Sequence, residues 1–322
     1  MKAIAVLLLF TLGTCASALA DTFPQRPVTL IVPFAAGGPT DVVARHVAQA
    51  MGKSLGQSVI VENRASTGGI VGTDVVARAD PNGYTLLIHN IGMSTLPALS
   101  RTLRFNPLKD FDYIGQVADV PMTLIGRRNL SPSNFIELRR YLTQNERKIN
   151  LANAGIGTAS HLCGLMLMSQ LKIPMTTIPY KGAAPAMTDL QGGQVDLLCD
   201  QVTTTLGPIA TSRVKPYAVT TRSRLAALPD LPTLSEQSVT DFEVTVWHGI
   251  YAPKNLPKDV SDRLVKALQD AVGDPAFKES MQKLGAIPAS KENITPEGLA
   301  RKLRSEVDRW TPLIQAAEAY ID

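Results

Sequence analysis

The stretch Val28-Thr29-Leu30-Ile31-Val32-Pro33-Phe34-Ala35-Ala36-Gly37-Gly38-Pro39-Thr40-Asp41 decides the fold of this chain. Its apolar start is typical of a buried strand, and it leads into a glycine-rich loop that opens a helix. The apolar run 149–152 leads in the same way into Asn153-Ala154-Gly155-Ile156-Gly157-Thr158-Ala159-Ser160-His161. The first residues of a helix present unpaired N–H groups and a partial positive charge. The two loops therefore predict two walls of a cleft between lobes, where a small anion binds.

Around these stretches the apolar pattern alternates between strand-like and helix-like periods, which is typical of α/β architecture. The first block predicts a βαβαβ unit with parallel strands. Residues 92–112 are predicted to be irregular, and extended runs follow at 113–117 and 121–125. A second α/β series comes next, residues 242–252 are extended again, and the rest is helical.

The two extended regions bracket the middle block, which implies two α/β lobes joined by a hinge of two crossings. We predict that residues 21–119 and 247–322 form the first lobe and that residues 120–246 form the second. The length of the chain also favours two lobes, because a single core rarely grows beyond about 250–300 residues.

Residues 1–20 are typical of a secretory signal peptide, with Lys2 before a short apolar run and Ala18-Leu19-Ala20 as the cleavage pattern. A lipoprotein signal at Cys15 is the alternative. We expect cleavage near Ala20 and localisation in the periplasm. Loss of Lys2 changes the formal net charge from +4 to +3. This charge is spread along the chain without a basic run, so nucleic acid is not an expected partner.

Two cysteines remain after cleavage. Cys163 follows the second glycine loop, and Cys199 ends an apolar run. An even pair in an oxidising compartment is a disulfide candidate, since helix starts and strand ends share one edge of an α/β sheet. Two buried free thiols are the alternative. Without a well-spaced third ligand the pair does not form a zinc pattern, so no metal is expected.

The patterns of nucleotide-binding enzymes and hydrolases are incomplete. Gly155-x-Gly157-x-x-Ser160 lacks the third glycine of a dinucleotide fingerprint, and the first loop lacks the Gly-Lys-Ser/Thr ending of a phosphate-binding loop. No Gly-x-Ser-x-Gly elbow occurs. A secreted enzyme that acts on a carboxylated substrate is the alternative to a binding protein. Its candidate general bases are Asp41, His161 and Asp200.

Two of these residues allow two interpretations each. Asp41 either complements the helix dipole or accepts a hydrogen bond from a ligand amine or an ordered water. His161 either faces the cleft or braces its loop. His89 and His248 lie near predicted strand ends and are left unassigned.

Longer segments of the chain resemble one known family. They are Arg26-Pro27-Val28, Val61-Glu62-Asn63-Arg64, Asp80-Pro81-Asn82-Gly83-Tyr84-Thr85-Leu86-Leu87, Ile178-Pro179-Tyr180-Lys181-Gly182-Ala183-Ala184-Pro185-Ala186, Asp189-Leu190-Gln191-Gly192-Gly193-Gln194-Val195-Asp196, Leu228-Pro229-Asp230-Leu231-Pro232-Thr233 and Trp247-His248-Gly249. With the two loops, they make the chain similar over its mature length to the periplasmic solute receptors of tripartite tricarboxylate transporters, also called the Bug family.

The resemblance implies a periplasmic-binding-protein (Venus-flytrap) fold that closes on a small carboxylate and hands it to a two-component membrane transporter. It implies a monomer without cofactor or enzymatic activity; a ligand sensor without a dedicated transporter is the alternative. The first-lobe wall would comprise Phe34, Ala35, Gly37, Gly38, Thr40 and Asp41, and the opposing wall Gly157, Thr158, Ala159, Ser160 and His161, with Asn90 and Asp200 deeper in the cleft.

Overall fold

The structure, a computed structural model, describes residues 23–316. The predicted signal peptide, including Cys15, lies outside this range. The strands are β1 (Val28–Val32), β2 (Val59–Asn63), β3 (Thr85–Asn90), β4 (Phe111–Arg127), β5 (Asn150–Asn153), β6 (Thr176–Pro179), β7 (Leu197–Gln201), β8 (Val214–Val219), β9 (Thr245–Pro253) and β10 (Ile287–Pro288). The helices are α1 (Pro39–Leu55), α2 (Ile70–Ala77), α3 (Gly92–Leu99), α4 (Phe135–Gln144), α5 (Ala159–Leu171), α6 (Ala183–Gln191), α7 (Val202–Ala210), α8 (Lys258–Gly273), α9 (Pro275–Lys283) and α10 (Pro296–Ala316). Within this part of the chain no helix combines the length and apolarity that crossing a bilayer requires.

The first lobe is built on a parallel sheet. β1 pairs in parallel with both β2 and β3, so the predicted βαβαβ unit is confirmed. β9 extends this sheet by pairing antiparallel with β3, and β4 pairs with β9. In the second lobe, β5 pairs in parallel with β6 and β7. The predicted α/β fold class with two lobes is confirmed.

The long strand β4 belongs to both sheets. Its residues from Phe111 to Pro121 pair with β9, whereas its residues from Met122 onward pair with β7. The chain returns just before β9, where the backbone N–H of Val244 donates to the carbonyl of Thr220 at 3.1 Å. The extended runs predicted at 113–117 and 121–125 are thus one strand. The predicted lobe boundaries at 119/120 and 246/247 stay a prediction.

The core lies on both faces of the first sheet because successive side chains of a strand point to opposite sides. Val28 and Leu30 pack on one face with Val43 and Val47, which lie one turn apart on α1, while Ile31 joins the core on the other face. These side chains are almost completely buried. Each such burial contributes roughly 1.5–3 kcal/mol, and this packing fixes the start of α1 at the end of β1.

The prediction that residues 92–112 are irregular was wrong, because they contain α3. Pro97 inside the helix and the polar residues near its start favour a loop by local propensity. The side chains of Met93, Leu96 and Leu99 are nonetheless fully buried, and α3 packs against α10. Tertiary packing of this apolar face therefore outweighs the weak helix propensity. Helix α7 was not predicted either, because its run of threonines and Pro208 disfavour a helix by local propensity.

A disulfide bond joins Cys163 in α5 to Cys199 in β7, with a Cα–Cα distance of 6.2 Å. The predicted pairing is therefore confirmed, and the alternative of two free thiols is excluded. Both cysteines are buried. The bond ties the start of α5 to the carboxyl end of β7, and both of these second-lobe elements border the cleft.

Replacing both cysteines, as Cys163→Ala with Cys199→Ala, should lower the free energy of unfolding. The sequence separation of 36 residues corresponds to about 4 kcal/mol in the chain-entropy model. Urea unfolding of oxidised protein, reduced protein and the double variant measures the difference. Reduced protein should resemble the variant, and equal midpoints for oxidised protein and the variant would contradict the expectation.

Candidate functional site: a cleft between helix N-termini

The first glycine loop is folded back onto the start of α1. Gly37 has φ +75°, in the left-handed region that glycine adopts without strain. Its backbone N–H donates to Oδ2 of Asp41 at 2.9 Å, and the N–H of Gly38 donates to the carbonyl of Ala35 at 3.3 Å. Pro39 occupies the first helical position, where no N–H is needed. This arrangement places Thr40, in the first turn of α1, at the cleft.

Asp41 lies behind the loop and does not line the cleft. Its carboxylate accepts hydrogen bonds from Arg45 at 2.9 and 3.0 Å, from Asn63 at 3.0 Å and from the N–H of Gly37. Burial raises the pKa of Asp41, but these hydrogen bonds and the charge of Arg45 together lower the pKa below its usual value. Asp41 thus braces the glycine loop from the first turn of α1, a role that neither interpretation from the sequence included.

The second glycine loop is braced in a similar way. The hydroxyl of Thr158 caps α5 and donates to the carbonyl of Gly155 at 2.7 Å. Nδ1 of His161 accepts from the N–H of Gly157 at 3.2 Å, and burial lowers the pKa of His161, which keeps the ring neutral. His161 therefore braces its loop. Ser160, by contrast, lies in the cleft wall, and its hydroxyl donates to the carbonyl of Cys199 at 2.7 Å.

A third helix start reaches the same cleft. Gly182 precedes α6 with φ +125°, and both Gly182 and Ala183 line the cavity. Both residues belong to a segment that carries the family resemblance, but they were not predicted to be site residues. The available signal was a glycine placed between a strand and a helix, as in the first two loops.

The cavity between the loops encloses about 20 Å³, roughly the room that a water molecule needs. Its wall consists of Phe34, Gly38, Pro39, Thr40, Asn90, Ala154, Thr158, Ala159, Ser160, Gly182, Ala183, Asp200 and Gln201. Eight of the residues predicted from the sequence are in this wall. The predicted residues Ala35, Gly37, Asp41, Gly157 and His161 are not in it, and Pro39, Ala154, Gly182, Ala183 and Gln201 were not predicted.

The two lobes touch at the mouth of the cleft. The hydroxyl of Thr95, in α3, donates to the carbonyl of Gly157 at 2.9 Å. A Cβ atom added to Gly157 would collide with the side chain of Leu99, and one added to Gly182 would lie 3.0 Å from Cβ of Ala35. Small residues thus permit the close approach of the two walls.

Two histidines support the first wall from behind. Nε2 of His248 lies 3.3 Å from the hydroxyl of Thr40, which also accepts a hydrogen bond from Asn90 at 3.1 Å. Nδ1 of His89 accepts from the N–H of Asn90 at 2.8 Å. Burial lowers the pKa of His89 to about 4 and the pKa of His248 to about 3. Both rings are therefore neutral and serve to position Thr40 and Asn90.

Two α/β lobes, joined by crossing strands and facing each other across a buried cleft of helix starts, define the periplasmic solute-binding proteins as a class. Within that class the chain belongs to the family described as the tripartite tricarboxylate transporter family receptor, whose pattern matches residues 43–319. The family assignment made from the sequence is thus confirmed.

The relatives are consistent with this assignment. The chain is 44% identical, over 98% of its length and 91% of the relative, to a protein of Agrobacterium vitis from the TAR-I ttuE-ttuC' intergenic region. It is 50% identical to the solved periplasmic binding protein BugD, with a TM-score of 0.90 over 92% of this chain and 99% of that one. It is 33% identical to MatC of Rhodopseudomonas palustris, solved with bound malate, with a TM-score of 0.86 over 91% and 100% of the two chains.

Asp41→Asn should destabilise the protein at neutral pH. The substitution removes a buried charge-assisted set of hydrogen bonds, which costs roughly 1–3 kcal/mol. Because the folded-state pKa of Asp41 is lowered, its contribution is complete above the unfolded-state pKa and is lost as the pH falls below about 4. Chemical denaturation at pH 7 and near pH 3 should show a difference between wild type and variant that shrinks at low pH.

Asp74→Asn is the matched control, since Asp74 pairs with Arg78 at the same helical spacing but in an exposed position. Its effect should stay below about 0.5 kcal/mol. A destabilisation by Asp41→Asn that is no larger than this control, or that is the same at both pH values, would contradict the role assigned to Asp41.

Proposed function

We propose that this chain is a periplasmic receptor that captures a small carboxylate in the cleft and delivers it to a two-component membrane transporter. The observation that supports anion capture is the convergence of the first turns of α1, α5 and α6 on one buried cavity. Backbone N–H groups in a first helical turn have no carbonyl partner within the helix, so a carboxylate can accept from them. None of the wall residues that the structure describes is lysine or arginine.

The carboxylate is proposed to lie between Thr40 on one side and Ala159, Ser160 and Ala183 on the other. Charge-assisted hydrogen bonds from backbone N–H groups, directly or through bridging waters, supply its binding energy. Malate in the similar MatC protein carries such carboxylates, which supports this ligand class. The predicted residues Phe34, Gly38, Asn90, Thr158 and Asp200 complete the wall, and the remaining predicted residues brace the loops or lie at the mouth.

We propose binding rather than catalysis because two of the three candidate general bases are already engaged. Asp41 and His161 each accept a hydrogen bond from the backbone of their own loop. Oδ2 of Asp200 accepts a hydrogen bond from the hydroxyl of Thr204. The receptor is proposed to act as a monomer after cleavage near Ala20, with no nucleic-acid partner. A sensor without a transporter would use the same cleft.

Ligand binding is proposed to require approach of the two lobes, here defined as residues 21–119 with 247–322 and residues 120–246. The contacts of Gly157 with Thr95 and Leu99 join residues that belong to different lobes. Hinge closure of this kind lets both walls bind one ligand. A residue larger than glycine at position 157 therefore blocks closure without touching the ligand.

Carboxylates should stabilise the mature protein, whereas their neutral methyl esters should not. A ligand at a hundred times its dissociation constant adds about 2.7 kcal/mol to the free energy of unfolding. The measurement is a thermal-shift screen of dicarboxylates and their dimethyl esters, after unfolding and refolding of the protein to remove co-purified ligand. Equal shifts for acids and esters, or no shift with any acid, would contradict carboxylate capture.

Gly157→Ala should weaken carboxylate affinity about tenfold or more, because the added Cβ atom would collide with Leu99 and keep the two walls from engaging the ligand together. Gly193→Ala is the matched control: Gly193 has a similar φ of +76°, against +81° for Gly157, but open space around it. Leu99→Val, which removes the colliding Cδ1 atom, should restore part of the affinity to Gly157→Ala. Similar affinities for the two alanine variants would argue against closure at this contact.

A further inference from the structure

The amino ends of the second-lobe strands form the edge of the sheet that is opposite to the cleft, and basic residues gather there. Arg147 and Lys148 lie just before β5, and Lys172 lies between α5 and β6. The backbone N–H of Arg147 donates to the carbonyl of Pro174 at 3.1 Å, which brings these two segments side by side. β4 runs antiparallel to β7, so Arg128 after its end reaches the same edge. The fold thus collects basic residues that are separate in the sequence.

Helix α4 lies along this edge. It begins next to β8, where the hydroxyl of Tyr217 donates to the carbonyl of Pro132 at 3.0 Å, and it ends shortly before β5. Two exposed arginines of α4 therefore join the basic residues that border β5 and β6. We call the resulting surface the basic pole, and it consists of Arg128, Arg139, Arg140, Arg147, Lys148 and Lys172.

An exposed apolar side chain accompanies the arginines of α4. One face of this helix packs into the core, and Ile136 lies on the other face with 64% of its surface exposed. Ile136 precedes Arg139 by three residues and Arg140 by four, and residues at these spacings are neighbours on a helix surface. The solvent face of α4 therefore presents one apolar side chain beside two guanidinium groups.

The charges of the basic pole are not neutralised by ion pairs. None of its six residues forms an ion pair with another described residue, whereas Arg78, for example, pairs with Asp74 one helical turn away. The segment 128–148 contains five basic residues and two acidic ones, Glu137 and Glu146. Glu137 accepts hydrogen bonds from the backbone N–H and the hydroxyl of Ser133 at the start of α4. The pole therefore presents an excess of positive charge to solvent.

The combination of basic and apolar groups indicates the kind of partner. Basic side chains around an exposed apolar one are typical of proteins that bind anionic membrane surfaces. Lysine and arginine are attracted to the acidic headgroups, and the apolar side chain enters the interface. Contacts to the phosphate backbone of a nucleic acid would make no use of Ile136. The chemistry of the surface thus favours a lipid partner.

We propose that the basic pole, together with Ile136, docks the protein onto a membrane surface of anionic phospholipids. The contact is peripheral and reversible, because basic residues and one apolar side chain hold a protein far less firmly than a membrane-spanning helix does. The cleft lies at the carboxyl ends of the strands, so docking through the opposite edge leaves the cleft free. This inference goes beyond the proposed function and does not require a bound carboxylate. Docking keeps the receptor at the membrane in which its proposed transporter lies.

Co-sedimentation of the mature protein with lipid vesicles tests this docking. One set of vesicles contains equal parts of phosphatidylglycerol and phosphatidylcholine, and the other contains phosphatidylcholine alone. At low salt the protein should partition at least about tenfold more strongly to the anionic vesicles. About 0.5 M salt should remove most of this binding, because the Debye length falls to a few ångströms.

Arg139→Gln combined with Arg140→Gln should lower partitioning to the anionic vesicles about tenfold or more, because two headgroup contacts are lost. Arg78→Gln combined with Arg301→Gln is the matched control. It removes the same charge from exposed arginines of α2 and α10, outside the basic pole. The control should change partitioning by less than about threefold.

Two further variants make the test independent of helix α4 and of charge. Arg147→Gln combined with Lys148→Gln repeats the charge removal outside α4, so a misfolded α4 variant does not leave the question open. Ile136→Ser keeps every charge and should weaken partitioning about threefold or more, because the apolar contact with the interface is lost. The carboxylate affinity of all variants should equal that of the wild type.

The outcomes separate the docking surface from the proposed function. Equal partitioning to both kinds of vesicle, equal losses in the pole variants and the control, or no effect of Ile136→Ser would overturn the docking surface and leave carboxylate capture intact. Absence of binding to anionic vesicles at low salt would overturn it in favour of an acidic protein partner. Failure of the wild type to bind any carboxylate would overturn the proposed function and leave the vesicle result standing.

Discussion

The first N–H groups of an α-helix cannot be satisfied within that helix, and the architecture of this protein gathers three such helix starts at one place. In a parallel α/β sheet, each strand delivers its following helix at the carboxyl edge of the sheet. β1, β5 and β6 therefore place the starts of α1, α5 and α6 on the same cleft. The buried packing of the strands fixes these positions, so a donor-rich wall arises from backbone geometry alone.

The glycine loops must be held in place, because in flexible loops the backbone N–H donors would not be preorganised for a ligand. The protein supplies it with side chains that face away from the ligand space. Asp41 holds Gly37, and His161 holds Gly157. The disulfide and the bond from Ser160 to the carbonyl of Cys199 tie the second wall to the cleft floor. Rigid walls reduce the ordering cost of binding.

The sequence predicted the features that depend on local pattern. Strand β1, the helix after it and the glycine loops follow from apolar periodicity and from glycine placement, and they lie where they were expected. α3 could not be predicted, because its helix depends on burial of Leu96 and Leu99 against a helix about 200 residues later in the chain. The orientation of the Asp41 side chain could not be predicted either, because its hydrogen-bond partner Asn63 lies at the end of the next strand. Gln201 was not predicted as a wall residue, because the cavity that it lines forms where distant segments meet, which no local pattern records.

A cleft that attracts an anion without lysine or arginine has a consequence for release. Burying a full charge pair carries a large desolvation cost, and separating such a pair is correspondingly unfavourable. Backbone dipoles avoid both of these costs, because their partial charges are fixed in place and need no reorganisation. The contacts at Ala35, Leu99, Gly157 and Gly182 are small or apolar, and the hydroxyl of Thr95 adds a hydrogen bond to the carbonyl of Gly157. Walls made of backbone N–H groups and small or apolar contacts suit a receptor that binds a solute and then releases it to a membrane partner. Opening such a cleft breaks few strong interactions.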